Sequence, residues 1–280
     1  RVICERARAK VNLALHVCRR LDNGYHELDS LVVFPEFGDD VVCAKAPKDA
    51  LHVVPENSLL SGQDNLCMRA LALLRRHGFD LGPTSITLHK RLPVAAGVGG
   101  GSADAAATLR ALNQLWGLKI GLEALAHMGL ELGADVPVCV LGKPARMAGI
   151  GERLTIRTLP SSLWMVLVHD GVPVSTRDVF KALKKVDHPM LPHDGHLASW
   201  SDVQELDYRN DLWASALSVQ PHLAKVRDDV RAQGAFYAQL SGSGGTCFGL
   251  FGPHEEEKAQ RAANHLEEQG YWAVATEVKH

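Results

Sequence analysis

The run Pro93-Val94-Ala95-Ala96-Gly97-Val98-Gly99-Gly100-Gly101-Ser102-Ala103-Asp104 leads out of a segment that reads as a strand and into one of helical periodicity. Glycines let backbone N–H groups approach an anion closely, and a helix N-terminus adds unsatisfied donors and the positive end of its dipole. The chemistry this suits is phosphate binding. No Lys-Ser/Thr follows the glycines, as a P-loop requires, and no G-x-G-x-x-G register can be drawn, so the two commonest phosphate motifs are excluded. A second small-residue turn, Ser241-Gly242-Ser243-Gly244-Gly245, lies between two apolar runs. By itself it reads as a tight hairpin; beside the first loop it offers a second wall for a polyphosphate and its acceptor.

Two charged residues stand in apolar surroundings: Lys10 in the alternating run Ala9–Leu13, and Asp135 in Gly133-Ala134-Asp135-Val136-Pro137. Taken singly, Lys10 reads as an exposed position on a strand face and Asp135 as a local turn cap. Three imidazoles, His188, His193 and His196, fall close together, but two prolines and a glycine among them favour a solvated surface loop over a metal centre. H-E-x-x-H and G-x-S-x-G are absent, so zincin and α/β-hydrolase chemistry lack their local signatures.

The elements that position these residues divide near residue 158. Before it, Val11, Leu13, Leu15 and Val17 alternate with other residues, and short apolar runs recur at Leu31–Phe34, Val41–Cys43, Leu51–Val54 and Ile86–Leu88, all read as strands. Asp22-Asn23-Gly24 predicts a hairpin turn between the first two. Asp64 predicts the cap of a helix with Leu66, Ala70, Leu73 and Leu74 on one face. Ser102 predicts the cap of another, burying Ala106, Leu109, Leu112 and Trp116, and a third runs over about 122–132. Apolar runs at Ala145–Met147 and Leu154–Ile156 follow. After the linker Leu159-Pro160-Ser161-Ser162 the pattern is strand 163–169, helix 175–186, the His/Pro loop, helices 210–219 and 222–233, strands 236–240 and 246–251, helix 255–269 and strand 271–278. Without the inserted helical stretch that is βαββαβ, a ferredoxin-like plan. The fold class is therefore α/β (α+β), with an N-terminal domain over 1–158 and a C-terminal ferredoxin-like domain over 159–280.

The 280 residues are 46% hydrophobic and 22% charged, which excludes a disordered chain, and 30 Lys+Arg against 32 Asp+Glu leave no global positive field for nucleic acid. No apolar run approaches the eighteen residues of a membrane span. Arg1 without a preceding Met reads as a trimmed start, and Glu5, Arg6, Arg8 and Lys10 interrupt any signal-peptide core, so a cytoplasmic protein is expected. Six scattered cysteines without C-x-x-C read as reduced thiols.

In chain order, Lys10-Val11-Asn12-Leu13, Asp22-Asn23-Gly24-Tyr25-His26, the Pro93–Asp104 loop, Leu132-Gly133-Ala134-Asp135-Val136-Pro137 and Leu240-Ser241-Gly242-Ser243-Gly244 resemble the motifs of the 4-diphosphocytidyl-2-C-methyl-D-erythritol kinase family. That family belongs to the galactokinase, homoserine, mevalonate and phosphomevalonate kinase superfamily, and the resemblance spans nearly the whole chain. The glycine loop indicates the superfamily; the Gly24–His26 and Gly133–Pro137 segments narrow it to this member. The resemblance implies a two-domain fold, an N-terminal ATP-binding domain, and Mg2+- and ATP-dependent phosphorylation of the 2-hydroxyl of the methylerythritol unit in a cytidine diphosphate substrate. It implies Asp135 as the base and Lys10 as the cation that holds it ionised and steadies the acceptor oxygen, in keeping with the charge demands of phosphoryl transfer. Pro93, Gly97, Gly99, Gly100, Gly101, Ser102 and Ala103 would hold the ATP phosphates together with Gly242, Ser243 and Gly244, and Asn65 and Lys90 would lie near the adenosine. Tyr25, His26 and Phe180 would hold the cytosine, with Thr176 on the substrate side and Asn12 near the acceptor. Ala103 stands where members often show a second Ser, leaving Ser102 as the loop's one hydroxyl. The stretch 188–203 aligns with nothing in the family. A monomer or weak homodimer without nucleic-acid or membrane partners is expected.

Two readings compete. A sibling kinase acting on mevalonate, homoserine or a sugar would share the glycine loop but not need the Tyr25-His26 pair, and a nucleotide-sensing module would keep the cradle without turnover, against which Lys10 and Asp135 speak. A dinucleotide dehydrogenase lacks its glycine register.

Overall fold

The computed structural model describes residues 1–280. They fold into two compact units, each drawn from separate stretches of chain: Arg1–Ala9, Gly38–Leu92 and Gly99–Gly142 in the first, and Lys10–Phe37, Pro93–Val98 and Lys143–His280 in the second. Residue 158 lies inside the second unit.

The first unit holds one four-stranded sheet, in the order β1 (Val2–Arg8), β4 (Gly38–Lys45), β6 (Thr84–His89), β5 (Ala50–Val54). The pairs are antiparallel except β5 with β6, which are parallel and joined by α1 (Leu66–Arg76), the crossover that parallel strands require. Val41, Cys43, Ile86 and Leu88 point to the covered face and are fully or almost fully buried, the period-2 pattern of a half-buried sheet. Against β1 and β4 lies α2 (Gly100–Leu115), whose buried side is half alanine, so helix and sheet backbones approach closely. Helices α3 (Leu122–Gly129) and α4 (Val136–Leu141) complete the unit. The strand β1 has no counterpart among the strands read from sequence. At the sheet edge only Ile3 and Ala7 are buried, Val2 and Cys4 are exposed, and Glu5, Arg6 and Arg8 fill the other positions.

The second unit holds two antiparallel sheets. One runs β2 (Val11–Arg20), β3 (His26–Val33), β7 (Ala145–Gly149), β8 (Arg153–Ile156), and the expected hairpin joins β2 to β3 through Gly24 at φ +86, where an L side chain is disfavoured. The other runs β10 (Tyr237–Leu240), β11 (Cys247–Phe251), β9 (Leu163–His169), β12 (Trp272–Val278). Counted within that sheet the order is 2-3-1-4, the ferredoxin-like arrangement, with α8 (Leu223–Ala232) and α9 (Glu256–Glu268) packed on it. Their core includes Val166, Val168, Leu240, Phe251, Val226, Val230 and Leu266, and Leu15 and Val17 of β2 join it. The insertion between β9 and α8 carries α5 (Thr176–Lys181), α6 (Asp202–Glu205) and α7 (Trp213–Val219).

Four local expectations are corrected. Asn65, not Asp64, caps α1: its Oδ1 accepts from Cys67 N at 2.8 Å. Ser102 does not cap α2, because Gly99 takes that place in a left-handed turn at φ +63 and Ala103 N already donates to Gly99 O. The third helix ends at Gly129 rather than 132, and α5 stops at Lys181, five residues short of expectation. No helix is long and apolar enough to cross a membrane.

Candidate active site

In the second unit the two glycine segments are latched together. Ser241 Oγ donates to Gly97 O at 2.8 Å, Thr246 N donates to Ala96 O at 2.9 Å, and Lys10 N donates to Val98 O at 2.8 Å. Gly97 has φ +78, and a Cβ there would overlap Ser241 O and lie 2.9 Å from both Gly244 N and Gly244 O. The absence of a side chain at Gly97 thus serves loop-to-loop docking. Ser241, fully buried, also accepts from Asn12 N at 3.2 Å, so one hydroxyl ties three segments.

Asn12 is buried on β2, with Nδ2 donating to Ser30 Oγ at 2.7 Å, which in turn donates to Ala14 O. Its Oδ1 accepts nothing from the protein and lies beside Gly242. A buried acceptor without a donor is costly, and a ligand hydroxyl would relieve it. Lys10, at the junction of β1 and β2, is only 7% exposed, which overturns the alternative of a solvated strand face. At the tip of the β2–β3 hairpin Tyr25 is exposed, while His26 meets Phe180 of α5 with ring centroids 5.2 Å apart and planes tilted by 33°. Burial, and then the Arg20 guanidinium, hold the His26 imidazole below the ordinary histidine value, so it is neutral at neutral pH. Thr176 Oγ1 and Ser243 Oγ are hydrogen-bonded at 2.8 Å.

In the first unit, α2 opens with free N–H groups in its first turn, and the Ser102 hydroxyl there makes no hydrogen bond to protein. Ala103 is buried and its N–H is already engaged with Gly99 O. Beneath this turn Lys90 Nζ lies 2.7 Å from Asp39 and 3.2 Å from Asp104, and 3.3 Å from where a Cβ on Gly100 would fall. Burial by itself would depress the Lys90 ammonium, but Asp104 and Asp39 more than offset it and raise it. Asp104 is pushed well above the usual carboxylate range, chiefly by burial and despite Lys90, with Asp39 adding to the rise. Asn65 has both side-chain atoms engaged, Oδ1 with Cys67 N and Nδ2 with Leu60 O. Asp135 is half-buried at the start of α4 and makes no side-chain cap hydrogen bond, so it is not the local cap that a lone turn aspartate suggests.

Comparison with known proteins decides what this chemistry belongs to. The GHMP kinases N terminal domain matches residues 65–143 and the GHMP kinases C terminal domain residues 181–271. A 4-diphosphocytidyl-2-C-methyl-D-erythritol kinase from Ruegeria pomeroyi is 47% identical over 279 residues, covering 96% of this chain and 96% of its own. One from Brucella abortus is 45% identical over 280 residues, covering 96% of this chain and 92% of its own. The chain belongs to the 4-diphosphocytidyl-2-C-methyl-D-erythritol kinase family. A crystal structure titled 4-(cytidine 5'-diphospho)-2C-methyl-D-erythritol kinase matches with a TM-score of 0.84 at 34% identity, over 99% of this chain and 100% of that one. A homoserine kinase from Cytophaga hutchinsonii, at 20% identity and a TM-score of 0.69, shares the fold. As a member of this family within the GHMP kinases the protein is an ATP-dependent kinase.

Within this kinase several residues escape a reading of the sequence. Asp39, Ser241 and Asn210, whose Nδ2 donates to both Leu240 O and Gly242 O, hold the glycine segments or Lys90 in place. Only Ser241 lies in a quoted motif. The His188–His196 stretch, read as a solvated loop, is fastened along its length. His188 N donates to Val17 O, Pro189 O accepts from His16 Nδ1 and Arg209 Nη2, and Leu191 N donates to the buried Asp29. Arg146 grips Asp29 with two bonds of 2.8 Å and also reaches Asp194. His193 and His196 are exposed.

Proposed function

We propose that the protein transfers the terminal phosphoryl group of ATP to the 2-hydroxyl of 4-diphosphocytidyl-2-C-methyl-D-erythritol, a step of non-mevalonate isoprenoid precursor synthesis. The observation that carries this choice of acceptor is the His26–Phe180 pair, a neutral imidazole against an aromatic ring that can take the edge and face of a cytosine. Tyr25 supplies a second exposed ring, and the bare Oδ1 of Asn12 supports a place for this residue by the acceptor hydroxyls. Thr176, four residues before Phe180 on α5, is assigned to the same side, and its bond to Ser243 ties it to the second glycine segment.

Asp135 is the proposed general base and Lys10 the proposed cation for the acceptor oxygen. The nucleotide phosphates are assigned to the segment from Pro93 and Gly97 through Gly99, Gly100, Gly101, Ser102 and Ala103, with Gly242, Ser243 and Gly244, and the free N–H groups opening α2 fit an anion. Ala103 contributes backbone shape rather than a donor, because its N–H is taken. Asn65 and Lys90 are assigned to the adenosine side, Asn65 through the turn it fixes. Mg2+ usually takes one or two protein oxygens beside phosphate oxygens, and the Ser102 hydroxyl, without a protein partner, fits such a ligand. Bound, the ion would neutralise phosphate charge. Division into domains 1–158 and 159–280, which keeps the two family-matched segments apart, a cytoplasmic location, a monomer or weak homodimer, and the lack of nucleic-acid or membrane partners complete the proposal.

A coupled ADP-release assay with the cytidine diphosphate substrate, run beside mevalonate, homoserine and a sugar, tests it. Turnover confined to the cytidine compound is expected. Turnover with a sibling acceptor but not with this one would refute the assignment.

A further inference from the structure

The acceptor under the reading above carries a diphosphate, and an anion of that charge needs a cation near the residues that take its base. In the β2–β3 ladder Arg20 stands directly opposite His26, and Arg19 opposite Glu27. Residues opposite each other in an antiparallel pair share a face, with Cβ atoms about 5 Å apart, while the next pair along the strand points to the other face. Arg20 therefore lies on the His26 face, where His26 meets Phe180, and Arg19 lies on the reverse. The two guanidinium groups also differ in company. Arg19 is ion-paired with Glu27 at 3.0 Å, and Glu27 is shared with Arg153. Arg20 is exposed and makes no ion pair or hydrogen bond within the protein. Its charge is felt by the imidazole, which it helps to keep neutral.

We propose that Arg20 binds the diphosphate of the cytidine nucleotide, making it a specificity residue for a nucleoside diphosphate over a bare nucleoside. The inference rests on the assignment of His26 and Phe180 to the cytosine. Arg19, one residue away and already neutralised, serves as the internal control.

The test uses cytidine and CDP as competitive inhibitors of the full-length enzyme. Wild type should bind CDP more tightly than cytidine, with a preference that falls as salt rises. Arg20→Gln should weaken CDP roughly fivefold to tenfold, the scale of one charge-assisted bond at a partly solvated site, while cytidine inhibition and the KM for ATP stay unchanged. Arg20→Lys should recover part of the loss, since it keeps the charge and loses the planar fork. Arg19→Gln should behave as wild type. If Arg20→Gln leaves the CDP-to-cytidine ratio intact while both still compete, Arg20 is not a diphosphate ligand and the base assignment stands. If neither compound competes in wild type, the base assignment itself fails and the proposal falls with it.

Discussion

Replacing Gly97 by Ala separates two reasons for a glycine at that position. If the residue is small only so that phosphate oxygens can approach, the ligand-free protein should tolerate a methyl group. The geometry argues otherwise: a Cβ at φ +78 would overlap Ser241 O and crowd Gly244. A left-handed non-glycine residue costs about 1–2 kcal/mol. Relief of the overlap would pull the segment from its latch and weaken the Ser241 Oγ–Gly97 O and Thr246 N–Ala96 O bonds, each worth about 1 kcal/mol net. The expected loss is therefore about 3–4 kcal/mol, seen in urea or thermal unfolding without nucleotide. Gly100→Ala is the contrast, since its Cβ would meet only the end of the Lys90 side chain at 3.3 Å and its φ is ordinary; it should lose nucleotide affinity with little loss of ligand-free stability. A Gly97→Ala protein with wild-type ligand-free stability would refute loop docking as the reason for this glycine.

Asp135→Asn should lower kcat by a factor on the order of 10² or more with substrate binding retained, and a folded variant with near-normal kcat in steady-state assays would remove Asp135 as base. Lys10→Met should also depress kcat; the double variant should be little worse than the poorer single one, and multiplicative losses would show independent action. His26→Ala should raise the KM for the cytidine substrate and leave that for ATP unchanged. Because its pKa is lowered in the folded protein, wild-type substrate KM should stay flat through neutral pH and rise only on acidification below the ordinary histidine value of about 6.5, as the imidazole charges. Lys90→Met leaves Asp39 and Asp104 buried without their cation and should cost about 3 kcal/mol or more in thermal or urea unfolding at neutral pH.

Where one face of an element is buried, the sequence pattern reads it well. The β2–β3 hairpin follows from alternation plus Asn23-Gly24, and the ferredoxin-like order from strands of Val, Leu and Phe separated by amphipathic helices. An edge strand such as β1 has no such pattern to offer, because charged Glu5 stands between Ile3 and Ala7 on the covered face, where Arg110 and Gln114 of α2 take it up. Ser102 is the right residue type for a helix cap, yet Gly99 takes the role because a left-handed residue ends the turn first. The quoted motifs contain most of the assigned ligand residues, while their supports are tertiary. Asp39, Lys90 and Asp104 are brought together by β4, β6 and α2, and the fastening of the His188–His196 stretch depends on Arg146, Asp29 and Arg209. No spacing rule connects such positions.

The interleaving of the two units along the chain bears on the order of events during synthesis. Every residue of the first unit has been made once Gly142 is added, whereas the turn at Gly97 waits for Ser241, 144 residues later, before its latch can close. A contact that distant forms late, because chain entropy must be overcome before it is rewarded. A nascent or truncated chain ending before Ser241 would therefore carry a folded α2 and its open first turn beside an unlatched glycine segment. Protease nicking at Val94 to Val98, absent from the finished protein, should mark such chains.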